Sequence, residues 1–120
     1  MQHCCVFSFA RLALLVYTLF SGMEVRHDDD DLRRMECDPD YFTGRDRAFV
    51  RAFRKLLNLL RQVKNEAELY AFRSVRFEKL KGSRAHQRSL RINKQWRLIV
   101  EIEKRETGNV IVVKKTEDYH

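Results

Sequence analysis

Six cations and two titratable residues at the end of the chain could together cleave a phosphodiester. The cations are Lys81, Arg84, Arg88, Arg91, Lys94 and Arg97; the titratable pair is Tyr119 and His120. Without a metal, such cleavage needs a base for the attacking hydroxyl, an acid for the leaving oxygen and cations on the charged intermediate. RNA supplies its own nucleophile, the 2′-OH. His86 is a weaker acid–base candidate because it falls in a predicted loop. No carboxylate cage for magnesium lies near the basic run, so a metal-free and cofactor-free reaction is the simpler expectation.

The cations belong to one stretch, Arg76 to Arg97, RFEKLKGSRAHQRSLRINKQWR. It holds eight Lys or Arg and a single carboxylate, Glu78. The formal net charge of the 120 residues is +7, which favours an anionic partner. From Ala71 onward there are thirteen cations against six carboxylates, whereas Met23 to Val50 is net acidic. A concentrated field focuses a polyanion better than an even one. Charge alone equally describes a solvated face or a passive phosphate-binding surface, and a terminal Asp-Tyr-His alone equally describes a frayed tail. Trp96 shares its alternation with Leu98 and reads as a core residue rather than a base-stacking platform.

The elements that must position these residues are legible from periodicity. Met23 to His27 alternates as a short strand. Asp28 to Asp31 lacks the D-x-D-x-D-G spacing of a calcium loop and reads as a solvated turn opening a short helix. Asp38-Pro39-Asp40 and Gly44 mark a loop. Asp46 to Val63 carries Phe49, Ala52, Phe53, Leu56, Leu57, Leu60 and Val63 at helical spacing, a core stripe. Asn65-Glu66-Ala67-Glu68 predicts a capping box and a second, short helix burying Leu69 and Phe72. Lys81 to Arg84 is a turn around Gly82. Ser89–Ile92, Trp96–Glu103 and Asn109–Val113 read as antiparallel strands, with Arg97, Ile99, Glu101 and Glu103 on the face opposite Trp96, Leu98, Val100 and Ile102. The fold class is α+β: an N-terminal strand and a two-helix hairpin packed on a small antiparallel sheet.

Val6 to Phe20 is apolar but short for a membrane span and interrupted by Arg11, and no Lys or Arg precedes it. Residues 1–22 therefore read as a mis-called extension ahead of Met23, with a weak signal or anchor as the alternative, and residues 23–120 as the domain. Cys4, Cys5 and Cys37 form no zinc-ligand spacing. They read as free thiols, natural in the cytoplasm.

The segment LKGSRAHQRSLRINKQWRLIVEIE with the closing EDYH resembles the HigB-like branch of the RelE/ParE toxin superfamily. The matching elements are Leu80-Lys81-Gly82 with Arg84, Arg91-Ile92-Asn93, Gln95-Trp96-Arg97 and Glu117-Asp118-Tyr119-His120. The start MEVRHDDDDLRRM is similar to the start of members of this branch, and the resemblance covers 23–120. It implies a RelE-like fold and the toxin of a type II toxin–antitoxin pair, cutting mRNA on the 70S ribosome through the RNA 2′-OH without metal. It implies roles as well. Lys81 and Arg97 steady the scissile phosphate, and Asp118, Tyr119 and His120 form the acid–base and orienting group. Arg84, Arg88, Arg91 and Lys94 grip RNA. Glu78 stands where some members carry a histidine, so it is a further candidate base or a salt-bridge partner. A degenerate, non-catalytic binder is the alternative. The implied partners are a helix-turn-helix, HigA-like antitoxin, the ribosome and mRNA, with operator DNA met only through the antitoxin and no membrane.

Overall fold

The structure is a computed structural model that describes residues 23–106 and 108–118. Tyr119, His120 and the 1–22 segment lie outside the described residues. Strand β1 (Glu24–His27) is followed by helices α1 (Asp30–Cys37), α2 (Arg47–Gln62) and α3 (Glu66–Ala71). Strands β2 (Glu78–Lys79), β3 (Gln87–Arg91), β4 (Trp96–Arg105) and β5 (Gly108–Asp118) complete the order. The sheet runs β1-β5-β4-β3-β2. β2 to β5 are antiparallel, as the alternation predicts, but β1 pairs parallel to β5 through Val25 and Ile111. The sheet is therefore mixed. A parallel partner needs a long crossover, which the three helices supply.

The four aspartates are used one by one. Asp29 caps α1 by accepting from the Leu32 amide, Asp28 pairs with Lys114, Asp30 with Arg33, and the Tyr41 hydroxyl donates to Asp31. α2 starts at Asp46, whose Oδ1 accepts from the Phe49 amide at 2.7 Å, worth about 1 kcal/mol as a cap. Phe53, Leu57 and Leu60 of α2 are fully buried against Leu98, Val100, Ile111 and Val113 of the sheet. Truncating Phe53 to Ala there costs about 3–5 kcal/mol. Asn65 caps α3 through the Glu68 amide, but Glu68 reaches back to the amide of Lys64 rather than of Asn65. Leu69 is buried, whereas Phe72 is 43% exposed, contrary to expectation. The chain leaves the short helix at Phe72 in an extended conformation, so the ring never joins the core stripe. Cys37 is disulfide-bonded, which corrects the free-thiol reading.

One irregularity sets the geometry of the sheet. Ile99 pairs with Lys115 but Val100 pairs with Val113, so Lys114 is an extra residue in β5, a β-bulge. Val113 faces the helices. The bulge then turns Lys115 and Glu117 to the opposite face, away from the helices, where strict alternation would place Lys114, Thr116 and Asp118.

Candidate functional site

On the sheet face away from the helices Arg97 is the focus. It is the second residue of β4 and is only 6% exposed. Its Nη2 lies 3.6 Å from Glu78 Oε1, and its Nη1 donates to the Arg76 carbonyl at 3.4 Å. Arg76 ends the helical turn Arg73–Val75 in a left-handed conformation, φ 46°. That conformation is strained for a residue with a Cβ. Across the ladders Arg97 faces Arg91 of β3 and Glu117 of β5.

Glu117 is the residue that sequence reasoning left without a role. Its carboxylate accepts from Arg84 Nη2 at 2.6 Å and lies 3.0 Å from Lys115 Nζ. Burial pushes its pKa up, but the hydrogen bonds from Arg84 and Lys115 outweigh this and hold it below the ordinary range. Arg84 Nε also donates to Gln87, and Gln87 to Glu101. This polar mesh tethers the β2–β3 loop over the sheet. Ile99, Val110 and Val112 are buried on the same face, outside the helix-side core. The signal that would have exposed Glu117 is the bulge, which leaves no mark in a hydrophobicity pattern.

The remaining candidates divide. Arg91 shares the face of Arg97, and its Nε donates to the Asn93 carbonyl. Lys94 is exposed in the β3–β4 turn, which Asn93 closes by accepting from the amides of Gln95 and Trp96. Lys81 is exposed in the β2–β3 loop just before the Gly82–Arg84 turn, where Gly82 takes φ 67°. The Leu80 amide bonds to Gln87, four residues along β3 from Arg91, the partner of Arg97. That offset is about 13 Å of strand. Arg88 points the other way, to the helix side, where it pairs with Glu66 of α3 at 2.9 Å. Asp118 lies opposite Trp96 in the ladder, and Gln95 donates to it at 3.1 Å. It thus stands on the helix side of the sheet, one residue past Glu117. His86 lies 3.5 Å from Glu101. The structure therefore brings Arg97, Arg91, Arg84, Glu78 and Glu117 together. It sets Arg88 and Asp118 on the other face.

Two arginines, a third held by a carboxylate, and a loosely held Glu78 make a surface that can take an extended anion. Among the described residues, no group of three or more His, Cys, Asp or Glu is placed to hold a metal ion, and no helix is long and apolar enough to cross a membrane.

A small α+β domain of this topology, with cations on the sheet face away from the helices, is the architecture of RelE/ParE-type toxins. The family model described as "RelE-like toxin of type II toxin-antitoxin system HigB" matches residues 25–120, and the chain belongs to that family. A solved structure titled "YoeB/ParE toxin from Agrobacterium tumefaciens" is similar in fold, with a TM-score of 0.52 and 15% identity. The match covers 82% of this chain and 100% of that one. No curated protein matches. Membership of a type II toxin family carries with it an antitoxin partner.

Proposed function

We propose that the protein is a cytoplasmic endoribonuclease toxin that cuts mRNA on the ribosome by attack of the RNA 2′-OH, without metal. The functional unit is residues 23–120. The observation that carries this reading is Arg97, held on the sheet face away from the helices by the Arg76 carbonyl and Glu78, with Arg91 and the Arg84–Glu117 pair around it. A buried guanidinium is a strong, directional anchor for a phosphate. Glu78 is more than half exposed and sits at a long 3.6 Å, so a phosphate oxygen displaces it readily. Lys81 comes with the β2–β3 loop as a second cation. Arg84, Arg91 and Lys94 add sequence-independent grip on the RNA backbone, whereas Arg88, paired with Glu66 on the helix side, drops out of the site. Asp118, Tyr119 and His120 supply the acid–base and orienting groups; Tyr119 and His120 follow directly on the last paired residue of β5. Neutralisation falls to a helix-turn-helix, HigA-like antitoxin, through which alone operator DNA is met.

Expression of residues 23–120 from a tight promoter should arrest growth and leave cleaved ribosome-bound transcripts. Intact transcripts and normal growth at good expression would count against the reading. A second reading is a non-catalytic binder of antitoxin or nucleic acid, favoured by the Glu78 carboxylate lying against Arg97. It predicts that Arg97→Ala leaves every phenotype unchanged, whereas the first predicts loss of toxicity.

A further inference from the structure

The five cations of α2 divide into two sets. Arg54 donates to the carbonyls of Met35 and Asp38, and Arg61 grips Glu36. Both are internal braces. Arg47, Arg51 and Lys55 are exposed, and among the described residues none of the three is paired with a carboxylate. They recur every four residues, so they form one ridge with a step of about 6 Å. The helix contains no acid to interleave with them, and its first turn is without one. Like charges four residues apart repel, and cations near the start of a helix oppose its dipole. The ridge therefore works against the helix that carries it.

We propose that Arg47, Arg51 and Lys55 form a second RNA-backbone site, on the helix layer and separate from the Arg97 face. An anion laid along the ridge relieves both penalties. A protein partner fits less well. Among the described residues the exposed large apolar ones are Tyr70 and Phe72, on and just after α3, so α2 offers no apolar anchor around which a protein interface forms. A phosphate backbone needs none, because counterion release alone drives its binding. The ring of Phe42 under Arg47, 4.9 Å away, holds the first cation of the row in place. The site does not rest on the cleavage chemistry proposed for Arg97.

The test is the salt dependence of binding of a fluorescein-labelled 2′-O-methyl oligouridylate, which cannot be cut, to the full chain. The triple variant R47Q/R51Q/K55Q is compared with R73Q/K79Q/K104Q, which removes the same charge from scattered exposed positions. The ridge variant should lower the slope of log K against log salt by about 2, and the scattered variant by less than half of that. Melting of the ridge variant should stay level or rise. Equal slopes for the two triples would overturn the site. So would an unchanged RNA slope with loss of antitoxin binding, which would assign the ridge to a protein. R97A in the same assay should keep the ridge contribution whether or not it abolishes cleavage.

Discussion

Glu117 stands directly across the β4–β5 ladder from Arg97, yet its carboxylate is held by Arg84, 2.6 Å away on the β2–β3 loop. One carboxylate thus ties the loop that carries Lys81 to the strand that faces Arg97. Both partners are partly exposed, so the pair itself contributes about 0.5–1 kcal/mol, as a double-mutant cycle of R84A and E117Q in urea should show. The loss of cleavage should be larger, about ten- to a hundredfold for either variant, because misplacing a positioned group is costly. Cleavage at the wild-type rate in R84A would show that the loop needs no tether. The low pKa of Glu117 adds stability that is present above the ordinary glutamate range and lost as pH falls through the depressed value.

Glu36 should dominate acid sensitivity. It is buried between His27 of β1 (2.7 Å) and Arg61 of α2 (2.7 Å). Burial raises its pKa, but the hydrogen bonds from Arg61 and His27 win and bring it from 4.5 down to about 2. A depressed carboxylate stabilises above the unfolded value and loses that stabilisation as pH falls through the folded one. Stability should therefore drop between pH 4.5 and about 2, by about 3 kcal/mol at most. Glu36→Gln should cost a similar amount at neutral pH and flatten that limb in urea titrations. An unchanged acid limb would remove Glu36 from the account.

Arg45 should prove structural. Its guanidinium lies 4.4 Å from the Phe49 ring centre and 5.0 Å from that of Trp96, and it donates to Thr116 Oγ1 at 3.0 Å. Arg45→Ala should cost about 1–2 kcal/mol and red-shift the emission of Trp96, the only tryptophan. Arg45→Lys should not restore either, since an ammonium cannot stack on the two rings. A blue shift or no shift would place Trp96 elsewhere.

Deleting Lys114 should be tolerated, whereas an insertion beyond it should not. The deletion straightens β5 with Val113 still opposite Val100 and Lys115 opposite Ile99, so Glu117 keeps the face of Arg97 and Asp118 the helix side. The deletion should retain toxicity, as should Lys114→Ala, which breaks only the exposed pair with Asp28, while an alanine inserted after Lys115 moves Glu117 to the helix side and should abolish it. Toxicity in the insertion variant would show that the phase of β5 does not set the working face.

Local signals in the chain predicted α2, the Asn65 cap and the Gly82 turn, because each depends on residues within about one turn of one another. The placement of Arg97 opposite Trp96 followed from period-two alternation. The parallel pairing of β1 with β5 spans most of the chain and has no local signature. The bulge at Lys114 reverses the phase of β5 without changing its hydrophobic pattern; the family resemblance names Asp118 and gives Glu117 no role. Arg88 carried the right charge but the wrong parity, and its partner on α3 appears only in three dimensions.

The central claim is that RNA is cut through its own 2′-OH at a phosphate held by Arg97. The direct measurement uses ribosomes programmed with an mRNA carrying one 2′-deoxynucleotide at the mapped cleavage site, beside its all-ribose control. The account predicts 2′,3′-cyclic phosphate and 5′-hydroxyl ends from the control, none from the deoxy message, and none from either with Arg97→Lys at unchanged melting temperature. Cleavage of the deoxy message at the same site, or full cleavage by the folded Arg97→Lys variant, would contradict it.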